Sequence, residues 1–505
     1  MVYPHAYRME HTETNTSNNM YGLHAISQSK KIKIPPELLK LLQTIDSMKE
    51  KFMQNLAKAI EIKSVGPNLL FRNDVQKMVM FVEEWLKVLG MKHEVFNIGT
   101  YTVEGKKCRL PPVILASLGN DPNKRTICAY VHVDVPDPKF QKWDTDPWKL
   151  TVKDGKLYGN GTGCGKGPLM CWLHALLTFK MNKMPLPVNF RMCIEMMGHA
   201  NSQGFGAFCS TKKQDFFNHV DFVVQIDGEW IGHKVPCIIF GTVGNIHMEM
   251  TMEGDSIETM KSDMNTIFDS MVNERMEIQI PHYSDSVEQI GPDEEMIYAK
   301  IDEFDPEEIR ESLPPHKRSW DRVRLLINMW RLPSVMLDKI EECTCPNREK
   351  KMIRRHFILK IVPRQTLDYV KELVVKHVQR ITKEKNLKNK ANLKIISAGK
   401  PWVENINSSC YSTAKKAILQ ITKMEPFLIR EQVSRETTNV FDSGLEKKLV
   451  ILPICARGSN LGQANEHISS RCYQEAIKVL VAYMFQVASL KTKKNVKAKS
   501  DKPKK

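Results

Sequence analysis

Polar side chains that can bind a metal ion or transfer protons stand at the ends of three apolar, strand-like segments. His132 and Asp134 end the first segment, residues 195–199 end the second, and Asp227 ends the third. Ligands of α/β proteins gather at the carboxyl ends of the sheet strands. The three segment ends therefore predict a metal or catalytic site. The alternative is that they are ordinary polar residues that meet solvent where a strand stops.

The elements that must position these side chains alternate between strands and helices. Buried strands are predicted at 126–135, 189–197, 220–226 and 447–455. Pro168 opens an apolar helix, and residues 472–487 form an amphipathic one. This alternation predicts an α/β fold, with a mainly parallel sheet and helices on both of its faces.

The middle of the chain has a different pattern. Residues 245–253 alternate like a strand, and further strands are predicted at 356–363 and 391–397. Between them, one apolar stripe at helical spacing is formed by Ile257, Met260, Met264, Ile267, Phe268 and Met271. We expect an inserted α+β domain that forms a homodimer through this stripe. The alternative is that the stripe packs on the domain's own sheet.

Of the net charge of +16, +7 comes from residues 491–505, which hold eight Lys and one Asp, and the rest is spread thinly along the chain. We expect such a segment to be a solvated, disordered tail, and the alternative is that it contacts an anionic surface. The sequence has no basic groove interleaved with aromatic residues, so no specific nucleic-acid partner is expected. Residues 1–34 are polar and are also expected to be disordered.

The twelve cysteines are scattered without framework spacing, and many fall in apolar runs. Buried, reduced thiols of a cytoplasmic protein fit this distribution better than disulfides. No apolar run reaches the 18 or so residues that a membrane span requires, so no span is expected.

Specific motifs are spread over residues 35–490. They are His132-Val133-Asp134, Trp143-Asp144-Thr145-Asp146-Pro147-Trp148, Asp154-Gly155-Lys156-Leu157-Tyr158-Gly159, Gly399-Lys400-Pro401-Trp402, Arg430-Glu431 and Asn465-Glu466. Together they resemble the two-metal dipeptidases of the carnosine dipeptidase and cytosolic non-specific dipeptidase family. The resemblance implies a metallopeptidase-like catalytic domain at 35–243 and 398–490, and an inserted lid and dimerisation domain at 244–397.

The resemblance also implies a metal site, which this chain retains only in part. The first metal ion of the family is held at the positions of His132, Cys164 and Asp227, and Asp134 orients the His132 ring. Cys164 replaces the Asp that bridges two metals in the family. Imidazole, thiolate and carboxylate are all good zinc ligands, so this half-site remains chemically able to bind one zinc ion.

The second metal site and the general base are the larger losses. The family positions of the second site correspond to Cys164, His199 and Gly462, of which His199 is a further candidate ligand. Gly462 has no side chain to offer, and His467 is the nearby alternative. Gly198 stands where the family has its Glu base, a group worth about 10² to 10⁴ in rate. The preserved Glu195 should point elsewhere.

Substrate contacts implied by the resemblance are also altered. Lys360 replaces an Arg, so it can pair with a substrate carboxylate only as a point charge. Arg430 is a second candidate for this role. The segment Gly254-Asp255-Ser256 lacks the His with which the family lid polarises the scissile carbonyl.

These residues favour a pseudoenzyme: a metallodipeptidase homologue with little or no hydrolysis of dipeptides, which binds a dipeptide-like ligand or dimerises. We expect no more than one zinc ion per chain. One alternative is an active hydrolase with a rebuilt one-metal site. Another is a structural or interaction protein that acts through dimerisation and its basic tail.

Overall fold

The structure of the protein, a computed structural model, describes residues 34–103, 105–343 and 351–490. The helices of this part of the chain are α1 (Pro36–Ser47), α2 (Lys49–Ile60), α3 (Arg72–Leu89), α4 (Lys166–Met181), α5 (Phe205–Thr211), α6 (Ile257–Met271), α7 (Pro292–Ala299), α8 (Glu307–Arg310), α9 (Arg322–Arg331), α10 (Leu367–Glu384), α11 (Ser409–Thr422), α12 (Glu436–Thr438) and α13 (Ser470–Ala488). The expectations for the tail at 491–505 and for residues 1–33 lie outside the described residues.

The strands are β1 (Lys92–Phe96), β2 (Thr100–Val103), β3 (Lys106–Arg109), β4 (Val113–Leu118), β5 (Thr126–His132), β6 (Thr151–Lys153), β7 (Lys156–Tyr158), β8 (Asn189–Glu195), β9 (Phe222–Gln225), β10 (Cys237–Thr242), β11 (Gly244–Gly254), β12 (Ser334–Cys343), β13 (Lys351–Ile361), β14 (Ala391–Gly399), β15 (Trp402–Val403), β16 (Phe427–Glu431), β17 (Lys448–Ile451) and β18 (His467–Ser469). Every described helix is too short or too polar to traverse a bilayer.

The largest sheet runs in the order β1-β4-β8-β5-β9-β17-β10-β15, and β16 pairs with β10. Its four central strands, β8, β5, β9 and β17, are parallel, and antiparallel pairs flank them. All seven residues of β5 are buried, because this strand is covered on both faces. Parallel strands end at one edge of the sheet, so the side chains that follow β5, β8 and β9 are neighbours.

Helix α4 fixes the loop that precedes it against this sheet. The helix is apolar around almost its whole circumference and is buried from Lys166 to Leu176. It packs against α13, α2 and β5. A helix that is apolar on all sides belongs in the interior, so the Gly-rich loop at its amino end is drawn into the centre of the protein.

A second sheet, in the order β12-β13-β11-β14, is antiparallel throughout and has a hydrophobic core of its own. In β11, buried residues alternate with half-buried ones, so one face of the sheet packs under α6 and α10. This is the α+β pattern expected for the middle of the chain. Tyr298, Leu325 and Trp330, however, belong to the larger core, although they fall between the predicted bounds 244–397. Those bounds stay a prediction.

The apolar stripe of α6 does not face outward, as the expectation of a dimer interface required. Met260, Met264, Ile267 and Met271 have no exposed surface and Phe268 is 1% exposed, because they pack on the sheet beneath them. The alternative stated for this stripe, packing on the domain's own sheet, is the arrangement found. The homodimer stays a prediction, and the apolar stripe of α6 no longer supports it.

Replacing Met264 by Ala should therefore affect stability and leave the oligomeric state unchanged. We expect the free energy of unfolding to fall by about 2–5 kcal/mol, since the change leaves a cavity in the smaller core. Met276, which is 42% exposed, supplies the control: Met276→Ala should change the value by less than about 0.5 kcal/mol. Urea denaturation and sedimentation of both variants measure the two effects. A change of oligomeric state in Met264→Ala alone would contradict this assignment.

Candidate metal centre

The carboxyl edge of the central sheet brings the sequence-predicted site residues together. β5 ends at His132, β8 ends at Glu195 and continues into a short turn that carries His199, and Asp227 follows β9. Cys164 lies in the loop before α4. The parallel register of β8, β5 and β9 puts these strand ends at one level.

Cys164 lies at the centre of this group. Its Sγ atom is 3.4 Å from Nε2 of His132, 3.7 Å from Nε2 of His199 and 3.7 Å from Oδ1 of Asp227. The ligand atoms of His132, Cys164 and His199 all lie within 4.8 Å of one another. The two imidazole rings meet edge to face, with their centroids 4.9 Å apart.

The distances from the Cys164 sulfur to the two histidine nitrogens fit a shared metal ion. Zinc lies about 2.3 Å from a thiolate sulfur and about 2.0 Å from an imidazole nitrogen, so the ligand atoms of a tetrahedral site are roughly 3.5 Å apart. The observed separations of 3.4 and 3.7 Å bracket that value. His132, Cys164 and His199 would hold such an ion, with Asp227 beside them.

Burial determines the protonation of the group. Burial, helped by the charge of Asp227, raises the pKa of the Cys164 thiol to about 12. Burial and the charge of His132 lower the pKa of His199 to about 4, so this ring is neutral and offers a lone pair. Burial also lowers the pKa of His132, but the interactions with Cys164 and Asp134 raise this pKa by more. The pKa of His132 is therefore above its usual value. Binding of a metal would therefore release protons.

Asp134 lies beside His132 and contacts the turn that carries His199. It is fully buried, and its Oδ1 atom lies 3.3 Å from Nδ1 of His132. The backbone N–H groups of Gly198 and His199 donate to the two carboxylate oxygens, at 2.8 and 3.0 Å. Burial raises the pKa of Asp134, but the hydrogen bond and the charge of His132 lower this pKa by more than burial raises it. The pKa of Asp134 is therefore below its usual value. The carboxylate thus holds the turn that carries His199 and lies beside the His132 ring, whose orientation by Asp134 stays a prediction.

Two glycines lie close to the histidines, and the contact is much tighter at Gly198 than at Gly462. A Cβ atom on Gly198 would lie 2.5 Å from both Cβ and Cγ of His132. A Cβ atom on Gly462 would lie 3.2 Å from Cε1 of His199, and the φ angle of +68° at this position disfavours any side chain. The His199 ring therefore occupies the space that a side chain at position 462 would need.

The loop that carries Cys164 is held by Glu466, whose carboxylate is fully buried. Its oxygens accept hydrogen bonds from the N–H groups of Gly161 (3.0 Å), Gly163 (2.8 Å) and Cys164 (2.9 Å). Lys166 anchors the other side, because its Nζ atom donates to the carbonyl oxygen of Ile62 at 2.6 Å. Burial raises the pKa of Glu466 to about 7, against the hydrogen bonds that lower it.

A cation that the sequence reasoning missed lies beside Asp227. The Arg435 guanidinium donates from Nη1 to Oδ2 of Asp227, and from Nε and Nη2 to the two oxygens of Glu431, at 2.6 and 2.7 Å. The sequence carries no periodic signal for this contact, because Glu431 ends β16 and Arg435 lies in the loop after it. Burial raises the pKa of Asp227, but the Arg435 charge outweighs it and the net direction is downward.

Glu195 turns away from the candidate metal ligands, as expected. Its Oε1 atom accepts hydrogen bonds from the hydroxyls of Tyr130 (2.8 Å) and Ser202 (2.5 Å). Burial raises the pKa of this carboxyl to about 7. His467 also lies apart from the ligand group: its Nδ1 atom contacts the carbonyl oxygen of Asn465 at 3.0 Å, and its ring packs on Tyr158.

The two candidate substrate-binding cations have partners within the chain. Nζ of Lys360 donates to the carbonyl oxygens of Asn328 and Met329, at 2.9 and 3.1 Å, near the end of α9. Arg430 forms a 2.7 Å ion pair with Glu294 and donates to the Tyr298 hydroxyl at 3.0 Å. A role for either cation in binding a substrate carboxylate stays a prediction.

Comparison of the sequence with known proteins gives matches along most of its length. The sequence model of peptidase family M20/M25/M40 matches residues 128–486. Beta-Ala-His dipeptidase of Homo sapiens is 31% identical over 477 residues, which cover 90% of this chain and 94% of that protein. The Cys-Gly metallodipeptidase dug1 of Schizosaccharomyces pombe is 30% identical over 469 residues, which cover 89% of this chain and 98% of that protein.

Solved structures give the same result for the fold. Human carnosine dipeptidase 1 matches with a TM-score of 0.78 at 30% identity, over 90% of this chain and 100% of that one. The dipeptidase Dug1p of Saccharomyces cerevisiae also matches with a TM-score of 0.78, at 26% identity, over 90% and 99% of the two chains. These likenesses confirm the predicted α/β class, with a mostly parallel central sheet, helices and a separate lid.

The close approach of Gly198 to His132 predicts the effect of adding a single methyl group. Gly198→Ala should lower the free energy of unfolding by about 1–3 kcal/mol, because the His132 side chain or the turn must shift. Gly291→Ala is the matched control, since nothing lies within 4 Å of a Cβ atom there. Denaturant titration of the two variants tests this. Equal stability of Gly198→Ala and the unmodified chain would show that the site has more space than the structure gives it.

Proposed function

The chain belongs to peptidase family M20/M25/M40, and on that premise we propose that it is a metallodipeptidase homologue with little or no hydrolysis of dipeptides. Its relatives include Beta-Ala-His dipeptidases and Cys-Gly metallodipeptidases. The observation that carries the proposal is the packing of Gly198 on His132. A general base at this position would need a side chain, and there is no room for its first atom.

Three buried carboxylates near the ligand group are held by other partners. Among the acidic residues described above, Glu195 faces Tyr130 and Ser202, and Asp134 is engaged by two backbone N–H groups and His132. Asp227 is paired with Arg435. A carboxylate must lie within hydrogen-bond reach of the proton that it takes. We therefore assign these three groups to structure and not to catalysis.

We assign no more than one metal ion to each chain, held by His132, Cys164 and His199, with Asp227 as the fourth candidate ligand. When bound, such an ion would polarise a water molecule or a carbonyl oxygen only if a coordination position stays open. Three protein ligands leave such a position, whereas four close the site, and Asp227 is already paired with Arg435. The absence of a side chain at position 198 is therefore what favours a binding or structural role for the centre.

An active one-metal hydrolase is the second candidate, and the spacing of the ligand atoms around Cys164 favours it over a plain scaffold. In that case His132, Cys164 and His199 would hold the ion and leave one position open. The proposal also includes homodimerisation, a cytoplasmic location, a catalytic region at 35–243 and 398–490, and an inserted lid at 244–397. A third candidate is an interaction protein that acts through dimerisation and its basic tail.

The first test is hydrolysis by the unmodified chain, supplied with Zn²⁺ or Mn²⁺ and a panel of dipeptides. Loss of the base alone should reduce the rate by about 10² to 10⁴, and loss of a second metal should reduce it further. We expect turnover below detection while human Beta-Ala-His dipeptidase, assayed in parallel, is active. Metal-dependent cleavage that His132→Ala abolishes would overturn the proposal in favour of the one-metal hydrolase.

The second test is the metal content. Elemental analysis after incubation with Zn²⁺ should give one equivalent or less. Titration with Co²⁺ should produce a sulfur-to-cobalt charge-transfer band that Cys164→Ser removes, because a thiolate ligand is required for it. Cys108→Ser, a half-buried cysteine in β3, is the control and should leave the band intact. Two equivalents of metal per chain would refute the assignment.

A further inference from the structure

Asp227, which follows β9, and Glu431, the last residue of β16, are two carboxylates that share one partner, Arg435. The side chain of Asp227 is 11% exposed and that of Glu431 is 14% exposed. Carboxylates withdrawn from water to this extent require a compensating cation. In a metallopeptidase of this fold a metal ion can supply that charge. In this chain Arg435 supplies it.

Arg435 engages both carboxylates through separate nitrogen atoms. Nε and Nη2 form a fork on Glu431, with distances of 2.6 and 2.7 Å, and Nη1 reaches Oδ2 of Asp227. The planar guanidinium suits this arrangement, because its donors point in fixed directions that match a carboxylate edge. The side chain is 15% exposed, so the network is shielded from solvent.

The surrounding backbone is shaped to admit this network. Gly228 has a φ angle of +88°, and a Cβ atom there would lie 2.5 Å from Oε1 of Glu431 and 3.3 Å from Nη2 of Arg435. The missing side chain at position 228 is what lets Glu431 and Arg435 close over this part of the chain. The arrangement is therefore built into the fold and does not depend on one flexible side chain.

The remaining hydrogen bonds hold Asp227 toward Arg435. Nε2 of Gln225 donates to Oδ2 of Asp227 at 3.1 Å, and Thr437, two residues after Arg435, donates to Oε1 of the same glutamine at 2.9 Å. The N–H of Gly228 donates to Oδ1 at 2.8 Å. Both oxygens of Asp227 thus have donors, although one oxygen also lies 3.7 Å from the Cys164 sulfur.

We propose that Arg435 is the resident cation of this centre: its guanidinium competes with a metal ion for the Asp227 carboxylate and balances that carboxylate in place of the metal. Arg435 is a positioning residue, because it acts through Asp227. The inference rests on the proposed function, since it takes His132, Cys164 and His199 as the residues that hold a metal. It follows that Asp227 contributes little to metal binding while Arg435 is present.

Zinc affinity of full-length variants tests this, measured by competition with a chromophoric chelator. Arg435→Met keeps much of the side chain's bulk and removes its charge. We expect it to bind Zn²⁺ at least tenfold more tightly than the unmodified chain, since Asp227 is released to act as a ligand. Adding Asp227→Asn to Arg435→Met should abolish that gain. Asp227→Asn alone should change the affinity less than threefold.

A matched control separates this effect from the loss of any partly buried ion pair. Arg125 pairs with Asp221 at 2.7 Å, with side-chain exposures of 17% and 14%, so Arg125→Met removes a similar pair elsewhere. It should lower the melting temperature without changing zinc affinity. Zinc should raise the melting temperature of Arg435→Met more than that of Arg125→Met, because the ion replaces the lost positive charge only beside Asp227.

Two results would overturn the inference. One is zinc affinity in Arg435→Met that is equal to or below that of the unmodified chain, which would mean that Arg435 supports Asp227 as a ligand. The other is a tenfold loss in Asp227→Asn alone. If Arg435→Met does not fold, Arg435→Gln takes its place. It removes the charge but keeps a polar side chain, so a rise in zinc affinity of threefold or more supports competition and no rise refutes it.

The outcome is independent of the hydrolysis assay. Dipeptide cleavage by the unmodified chain would defeat the proposed function and leave the affinity comparison between the Arg435 variants intact. Absence of cleavage together with unchanged zinc affinity in Arg435→Met would defeat the inference alone.

Discussion

Buried charges at the carboxyl edge of the central sheet must be balanced within the protein, and much of the centre is arranged around this constraint. Asp134, Asp227 and Glu466 are each less than a tenth exposed. Asp134 is compensated by His132 and two N–H groups, and Asp227 by Arg435. Glu466 instead receives backbone N–H groups from the loop that carries Cys164. These partners lie at a strand end, as His132 does, or in turns and loops, as the backbone N–H groups and Arg435 do, so satisfying the charges also fixes the loops.

The sequence predicted which segments form the buried parallel strands, although it placed their carboxyl ends one to four residues too late, and this success has a definite physical reason. A buried parallel strand is apolar along its length, so the first ionisable residue after it is conspicuous, as His132 and Asp227 are. The same reasoning could not show which partner each residue would choose. Arg435 lies in a loop with no periodic pattern, and its contact with Asp227 joins residues more than 200 positions apart. Lys360 was likewise predicted to bind a substrate carboxylate, because a sequence does not show that its ammonium donates to the backbone carbonyl oxygens of Asn328 and Met329.

The methionine stripe of α6 illustrates a different limit. Helical spacing of Met260, Met264 and Met271 shows that one face is buried, but spacing cannot say against what. The alternating pattern of β11, with Met248 and Met250 on one face, supplies the covering surface within the same domain. Two amphipathic elements that are close in sequence bury their apolar faces against each other at a low entropic cost, because only a short loop has to close between them. An apolar stripe therefore predicts an interface between chains only after the strands near it are paired.

The departures from the family pattern are connected by sterics as well as by chemistry. His199 can lie beside Cys164 because Gly462 leaves the space for its ring. His132 can meet the turn at 198–200 because Gly198 has no side chain. Restoring a base at position 198 or an imidazole at position 462 would therefore displace a histidine that contacts the Cys164 sulfur. Residues that share one packed volume do not act additively. Under the proposed function, the centre is thus a single packed unit in which one substitution toward the two-metal site implied by the resemblance would disturb the others.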